Sequence, residues 1–145
     1  MLISGEDYVG GLVGENYQGT ITTSYSSAEV GGIGQGVGGL VGENYWGSIT
    51  NSYSTGVVSG TGESVGGLVG YNNGSISSSF WDIDTSGQLT SAGGTGKTTA
   101  EMQTASTFLD AGWDFVGETA NGTEDIWWIL EGKDYPRLWW EAAEE

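Results

Sequence analysis

The chain has 145 residues, 28 of them glycine and one proline, and its 19 acidic against three basic residues give a formal charge of −16. This charge argues against binding to nucleic acid, which requires clustered lysine and arginine, and against binding to anionic membrane surfaces. The sequence contains no cysteine and no histidine, which removes disulfides, thiolate chemistry and the commonest general base. No apolar stretch is long enough for membrane insertion as a helix.

One segment is repeated three times in the first part of the chain. Its copies begin at Val9, Val37 and Val65, and they read VGGLVGENYQGTITTSYS, VGGLVGENYWGSITNSYS and VGGLVGYNNGSISSSF. The period of 28 residues predicts stacked copies of one supersecondary unit, each packed mainly on its neighbours. Because the glycines occupy fixed places in an otherwise apolar-rich period, they indicate ordered turns.

Apolar and polar residues alternate within each copy, as they do in strands. In the run SITNSYS, Ile49, Asn51 and Tyr53 alternate with hydroxyl residues, which predicts one strand, and VGGLVG and GVVSG predict two more. Short strands joined by glycine turns are typical of a parallel β-helix, whereas a propeller blade needs about 40 residues. We therefore predict an all-β fold, a parallel β-helix (β-solenoid) of about three 28-residue coils.

Equivalent residues of successive coils are expected to stack about 4.8 Å apart. Asparagine at a turn tolerates the left-handed backbone, and its amide can bond the neighbouring coil. The predicted columns are Leu12, Leu40 and Leu68; Ile21, Ile49 and Ile76; an aromatic ladder of Tyr25, Tyr53 and Phe80; and a turn ladder of Asn16, Asn44 and Asn72.

The unit GGLVGxNxxGxIxNSYSxGxV resembles the GLUG repeat, which is named for its Gly-Leu-apolar-Gly core. Three copies cover residues 9–80, and FWDIDTSGQLTSAGGTGKTTAEMQ at residues 80–103 and WWILEGKDYPRLWW at residues 127–140 resemble segments that follow the last repeat in such proteins. The resemblance implies an extracellular, adhesin-like surface protein of bacteria or archaea. The family carries no catalytic residues to transfer.

The period is lost after Trp81, which predicts a solenoid over residues 1–84 and a C-terminal capping region over residues 85–145. Thr98 and Glu101 form a capping box that begins one helix over residues 99–111, and Gly112 ends it. Strands are predicted at residues 113–116, 126–130 and 138–140. This small α+β region is expected to cover the open end of the solenoid, and a sugar-stacking platform of its tryptophans is the alternative.

Two ligand sites are predicted. Asp82, Asp84 and Ser86 match the first half of a calcium loop, which makes calcium the one candidate cofactor, although Gly93 replaces the bidentate glutamate and a solvated turn is the alternative. A glycan could stack on aromatic residues expected at one turn of successive coils, beside asparagine and glutamate. These residues are Tyr17, Tyr45, Trp46 and Tyr71.

Glu15 and Glu43 occupy equivalent repeat positions, and no acidic residue lies in a recognisable catalytic motif. We therefore predict a non-enzymatic structural or adhesive module of a secreted cell-surface protein, cut from a longer chain because it begins within a repeat. Its open N-terminal coil edge is expected to accept neighbouring repeats or another copy of the chain. The alternatives are a fibre subunit built by end-to-end coil stacking and a carbohydrate-binding module.

Overall fold

The computed structural model describes residues 1–141 and divides into two compact units, Met1–Thr98 and Thr99–Glu145. The first unit is a parallel β-solenoid, as the 28-residue period predicts. Residues 85–98, which the sequence groups with the C-terminal region, lie in this first unit.

Each full coil contributes five short strands to five parallel stacks. After β1 (Leu2–Gly5), the first coil comprises β2 (Val9–Gly10), β3 (Val13–Tyr17), β4 (Thr20–Thr22), β5 (Tyr25–Ser26) and β6 (Glu29–Gly32). The second comprises β7 (Val37–Gly38), β8 (Val41–Tyr45), β9 (Ser48–Thr50), β10 (Tyr53–Ser54) and β11 (Val58–Gly60). The third comprises β12 (Val65–Gly66), β13 (Val69–Asn72), β14 (Ser75–Ser77) and β15 (Phe80–Asp82), followed by α1 (Ile83–Ser86) and β16 (Thr95–Lys97).

The strand register follows the repeat. The stacks are β1-β6-β11, β2-β7-β12, β3-β8-β13, β4-β9-β14 and β5-β10-β15-β16. The register places the members of three predicted columns opposite one another, and Leu12 and Leu40 donate backbone N–H groups to Leu40 and Leu68 of the next coil. Those three columns are Ile21, Ile49 and Ile76; Tyr25, Tyr53 and Phe80; and Asn16, Asn44 and Asn72.

The coil bends within the run that alternation predicts to be one strand. Thr23, Asn51 and Ser78 occupy equivalent positions with φ of 53°, 48° and 48°. This left-handed corner separates β9 from β10, and Ile49 and Tyr53 are buried on either side of it. The prediction of a single strand was therefore wrong, because buried residues continue on both sides of the corner, with Ser52, Tyr53 and Ser54 buried in succession after it.

Apolar side chains fill the interior in two clusters. Leu40 and Leu68 belong to the larger cluster and are fully buried, whereas Leu12 is 48% exposed because its coil has a neighbour on one side only. The larger cluster contains Ile21, Leu40, Val41, Ile49, Leu68, Val69 and Trp81, and the smaller contains Val9, Val30, Val37 and Val58.

Residues 87–97, here called the covering segment, lie over the last coil. Ser91 Oγ accepts hydrogen bonds from the N–H groups of Leu68 and Val69 at 3.2 and 2.9 Å, and Ala92 donates to the Val69 carbonyl at 2.9 Å. Gln88 reaches the Val58 carbonyl with its amide at 2.8 Å. These bonds, with the pairing of β16 on β15, give the last coil partners that no further repeat supplies.

The second unit is a small α+β assembly of α2 (Thr99–Met102), α3 (Ala105–Leu109), β17 (Trp127–Trp128) and β18 (Arg137–Leu138). One helix was predicted over residues 99–111, but Thr104 is extended (φ −118°, ψ 124°) and divides it in two. Gly112 has φ of 92° and follows the last turn, as expected of a terminating glycine.

Aromatic residues form the interior of the second unit. Trp113, Phe108 and Trp127 are fully buried, with ring centroids of Trp113 and Trp127 4.6 Å apart. The predicted strand at residues 113–116 reduces to a single bridge between Phe115 and Trp127, since the chain turns again at once. The burial of Trp113 and Trp127 removes two of the five tryptophans considered for a sugar platform.

Candidate functional site

The outer face of the β3-β8-β13 stack carries the candidate ligand-binding residues. In a strand, alternate side chains point to opposite faces. Asn16 is buried in β3, while Glu15 and Tyr17 on either side of it are exposed. The stack therefore presents two outward columns side by side, one beginning with Glu15 and the other with Tyr17. We call this surface the outer aromatic face.

Three predicted aromatic residues contact one another on this face. The rings of Tyr17 and Tyr45 are stacked, with centroids 5.6 Å apart and planes 10° apart. Trp46 packs beside both, 4.9 Å from Tyr45 and 6.5 Å from Tyr17. Because Tyr17 and Trp46 remain 56% and 59% exposed, the cluster leaves ring surface available to a ligand.

Trp46 is held at a left-handed corner. Its φ is 56°, as is that of the equivalent Gln18, a conformation that bulky residues adopt rarely. The Trp46 N–H donates to Asn73 Oδ1 of the third coil at 2.9 Å, and the Gln18 N–H donates to the Tyr45 carbonyl at 2.9 Å. Hydrogen bonds between coils thus fix the backbone that projects the indole.

Tyr71 lies in the other column. Its partner in the register is Glu43, not Tyr45, and it is 43% exposed. Tyr71 therefore continues the Glu15–Glu43 column, while Asn73 follows the aromatic one. All four aromatic residues are predicted at one turn, although the spacing from Val65 already makes Tyr71 equivalent to Glu43.

The two glutamates lie opposite each other in the register of neighbouring coils. Burial, followed by the neighbouring Glu15 carboxyl group, raises the pKa of Glu43. The negative charge of Glu43, with smaller effects of burial, Asp7 and Glu15, raises the pKa of Tyr8. Tyr8 therefore lies close enough to the pair for the negative charge to disfavour its ionisation. Tyr8 was not identified from the sequence because it precedes the first repeat.

The asparagine ladder lies directly beneath this face. Asn16 Nδ2 donates to Asn44 Oδ1, and Asn44 Nδ2 donates to Asn72 Oδ1, both at 2.8 Å. Asn16 and Asn44 also donate to the carbonyls of Gly19 and Gly47 at 3.2 Å. The expected bonding between coils is present, but the left-handed residues are Gln18 and Trp46, two positions later in the chain.

The calcium candidates have a local structural role. Asp82 is buried at the N-cap of α1, and its Oδ1 accepts from the N–H groups of Asp84 and Thr85 at 2.9 and 3.0 Å. Ser86 Oγ accepts from Gln88 N–H at 3.1 Å. Within residues 1–141, no three acidic side chains converge on a point that suits a metal ion.

The carboxylates weighed for catalysis are dispersed. Glu15 and Glu43 form the pair described above, and Asp134 forms an ion pair with Arg137 at 2.9 Å. Asp114 is buried in the second unit, where its Oδ2 accepts from Glu124 N–H at 3.0 Å. Glu15 and Glu43 on the outer aromatic face are the two of these carboxylates that lie opposite each other.

The first coil presents its outer edge to solvent. Among residues 1–141, no strand pairs with the outer edges of β2, β3, β4 or β5. Leu2 is exposed at this end together with Leu12. Apolar side chains beside unpaired strand edges are a template for a further coil.

The repeats match a known family. The GLUG motif matches residues 5–31 and 33–59, which comprise the first two coils. The chain carries GLUG repeats. The third GLUG-like coil lies outside the matched residues, although its strands keep the register. The GLUG coils are a structural repeat module.

A longer relative shares most of this GLUG chain. Over 128 residues the chain is 39% identical to a protein of Evansella cellulosilytica with the provisional name Gly-rich membrane protein. The match covers 88% of this chain and 11% of that protein's length. Within residues 1–141, no helix is long and apolar enough to cross a membrane. No solved structure matches the chain.

Proposed function

We propose that this GLUG chain is a non-enzymatic structural and adhesive module of an extracellular cell-surface protein, in which its coils form part of a β-solenoid stalk. The supporting observation is the coil stack itself, whose strands repeat in register while the first coil keeps an open edge. Each coil contacts its neighbours through backbone bonds, so such a stack can be lengthened without changing its cross-section. The name of the Evansella relative agrees with a place at the cell envelope.

Surface location is tested in the organism that makes the protein. Antibodies against the recombinant chain should label intact cells as strongly as permeabilised ones, and external protease should remove the label. Labelling only after permeabilisation would contradict the surface role. Adhesion is tested separately, because beads coated with the chain should bind cells or matrix more than beads coated with an acidic protein of equal charge.

Self-association is a second candidate, favoured by the exposed edge of the first coil. The covering segment occupies the far side of the last coil, so we expect two copies to meet through their first coils and stop at a dimer. Light scattering across a concentration series, with and without millimolar calcium, measures this. Leu12→Glu should give a monomer, while Leu89→Glu, at an exposed position of the covering segment, should not. Growth beyond the dimer would instead support the fibre alternative.

Carbohydrate binding is a third candidate, favoured by the exposed stack of Tyr17, Tyr45 and Trp46. Aromatic faces beside polar groups stack on the apolar faces of sugar rings. A glycan array probed with the wild-type chain and with Trp46→Ala tests it. Signals of equal strength from both proteins would remove this surface as the binding site.

A further inference from the structure

The outer aromatic face combines two chemistries in adjacent columns. One column offers the ring faces of Tyr17, Tyr45 and Trp46. The other offers the carboxylates of Glu15 and Glu43, each two residues before a tyrosine in the same strand. Tyr71 extends the carboxylate column on the side of the third coil. A ligand lying across the coils would therefore meet rings and negative charge together.

The carboxylate pair has no basic partner. The ion pairs of Arg137 with Asp134 and Glu141 lie in the second unit, and neither Glu15 nor Glu43 forms an ion pair with a basic residue of the described part of the chain. The net charge of −16 concentrates cations near the surface and repels anionic ligands. The strand register places the Glu15 and Glu43 carboxyl groups side by side, and burial together with this neighbour raises the pKa of Glu43, so a cation bound at the pair would relieve their repulsion.

We propose that the outer aromatic face binds a polysaccharide that carries free amino groups, its sugar rings stacking on the aromatic column and its ammonium groups pairing with Glu15 and Glu43. The proposal deepens the carbohydrate-binding candidate and rests on it. Stacking alone would accept any sugar with an apolar face, whereas the adjacent carboxylates select one bearing positive charge. Electron-rich rings add a favourable interaction with the same ammonium groups.

The test compares two oligosaccharides that differ in whether their amino groups are free or acetylated. Glucosamine hexamer carries free amines and its fully N-acetylated form does not, so isothermal titration of both against the wild-type chain at several salt concentrations measures the ionic contribution. We expect the amine form to bind about tenfold more tightly at low salt, and the difference to shrink as sodium chloride is raised. Equal affinity for both forms would overturn the proposal while leaving the carbohydrate-binding candidate intact.

Matched variants identify the residues. Glu43→Gln should abolish the preference for the amine form, whereas Glu29→Gln, an exposed glutamate of β6, should preserve it. Trp46→Asn suits the left-handed corner and should weaken both ligands about tenfold, whereas Trp139→Ala removes an equally exposed indole of the second unit and should change neither. Circular dichroism confirms that each variant is folded.

A lysine hexamer separates sugar recognition from general attraction to cations. The lysine hexamer could bind as tightly as the amine oligosaccharide, with an affinity that Trp46→Asn does not change. The surface would then be a general cation-binding face, and the proposal would fail. Absence of binding to both oligosaccharides would overturn this proposal and the carbohydrate-binding candidate together. The structural role in the coil stack would be unaffected by either result.

Discussion

Asn44 forms hydrogen bonds with the coils on both sides of it. It is fully buried, accepts from Asn16, and donates to Asn72 and to the Gly47 carbonyl. A buried amide that loses a hydrogen-bond partner lowers the stability of the fold, so a substitution in the middle of the column should be destabilising. Asn16 lies at the end of the column and has a neighbour on one side only.

Replacing Asn44 by alanine should therefore destabilise the first unit more than replacing Asn16. We expect Asn44→Ala to lower the free energy of unfolding by about 3 kcal/mol, because it removes the bonds to both neighbouring amides at a fully buried position, and Asn16→Ala by about 1 kcal/mol. Urea unfolding followed by circular dichroism measures both. Equal losses would show that the ladder does not act as a continuous column.

The glutamate pair makes stability depend on pH. Because burial and the neighbouring Glu15 carboxyl group raise the pKa of Glu43, the folded protein holds this proton more tightly than the unfolded chain as pH rises above the ordinary glutamate pKa. The contribution of this group to stability is fully present below the ordinary glutamate pKa and is lost as pH rises through the raised value. Glutamine mimics the protonated form at every pH.

Glu43→Gln should thus gain stability relative to the wild type as pH increases. The difference in free energy of unfolding, measured by urea titration between about pH 4 and pH 8, should move in favour of the variant across the range. A difference that is constant with pH would show that the pair does not retain a proton in the folded state.

At the level of single residues, the sequence predicts which residues stack in columns but not the backbone conformation at each position. The 28-residue period alone places Ile21 opposite Ile49 and Asn16 opposite Asn44. It does not reveal that Trp46 adopts a left-handed backbone, because that conformation depends on a bond from the third coil. Tyr71 lies six residues after Val65, as Glu43 lies six after Val37, so the period does predict the column of Tyr71, and grouping it with Tyr17 and Tyr45 was wrong.

At the level of strands, the second glycine of each VGGLVG segment allows neighbouring coils to approach. A Cβ atom at Gly39 would lie 2.2 Å from the Gly67 carbonyl oxygen, and one at Gly11 would lie 2.2 Å from the Gly39 carbonyl oxygen. No side chain fits at such a distance from a backbone atom. These glycines therefore set the spacing of the stack as well as forming its turns.

Gly39→Ala should cost about 3 kcal/mol of stability, because the backbones of two coils must separate. Gly31→Ala is the matched control, since its Cβ would meet only Ser59 Oγ at 3.4 Å. The control should change stability by less than about 1 kcal/mol. Thermal unfolding of both variants measures this, and equal melting temperatures would disprove the role of close approach.

The corners and the helices show where prediction of elements fails. Alternation predicts strands correctly but not their interruption at Asn51, because buried residues continue on both sides of the corner. In the second unit, the apolar spacing fits one helix, yet the chain is extended at Thr104, whose hydroxyl donates to the Ala100 carbonyl at 2.8 Å. Local pattern does not encode these tertiary and side-chain bonds.

For the whole molecule, the first unit behaves as a stack whose stability grows with each neighbour interface. Duplicating residues 37–64 inserts one further coil between two that already fit it. The longer protein should unfold at a higher urea concentration and gain about 4.8 Å in length. A lower midpoint, or an inserted segment that proteases remove, would contradict the modular stack.

The covering segment also has a consequence for the order of synthesis. A chain is synthesised from its N-terminus, so each coil leaves the ribosome before the coil that will pair with its C-terminal side. The bonds from Ser91 and β16 form only after all three coils have been made. Until then the nascent solenoid is a growing sheet edge that other chains can join. Translation that stops before residue 87 would leave this edge exposed in addition to that of the first coil, so such shortened products should aggregate more than a chain that carries the covering segment.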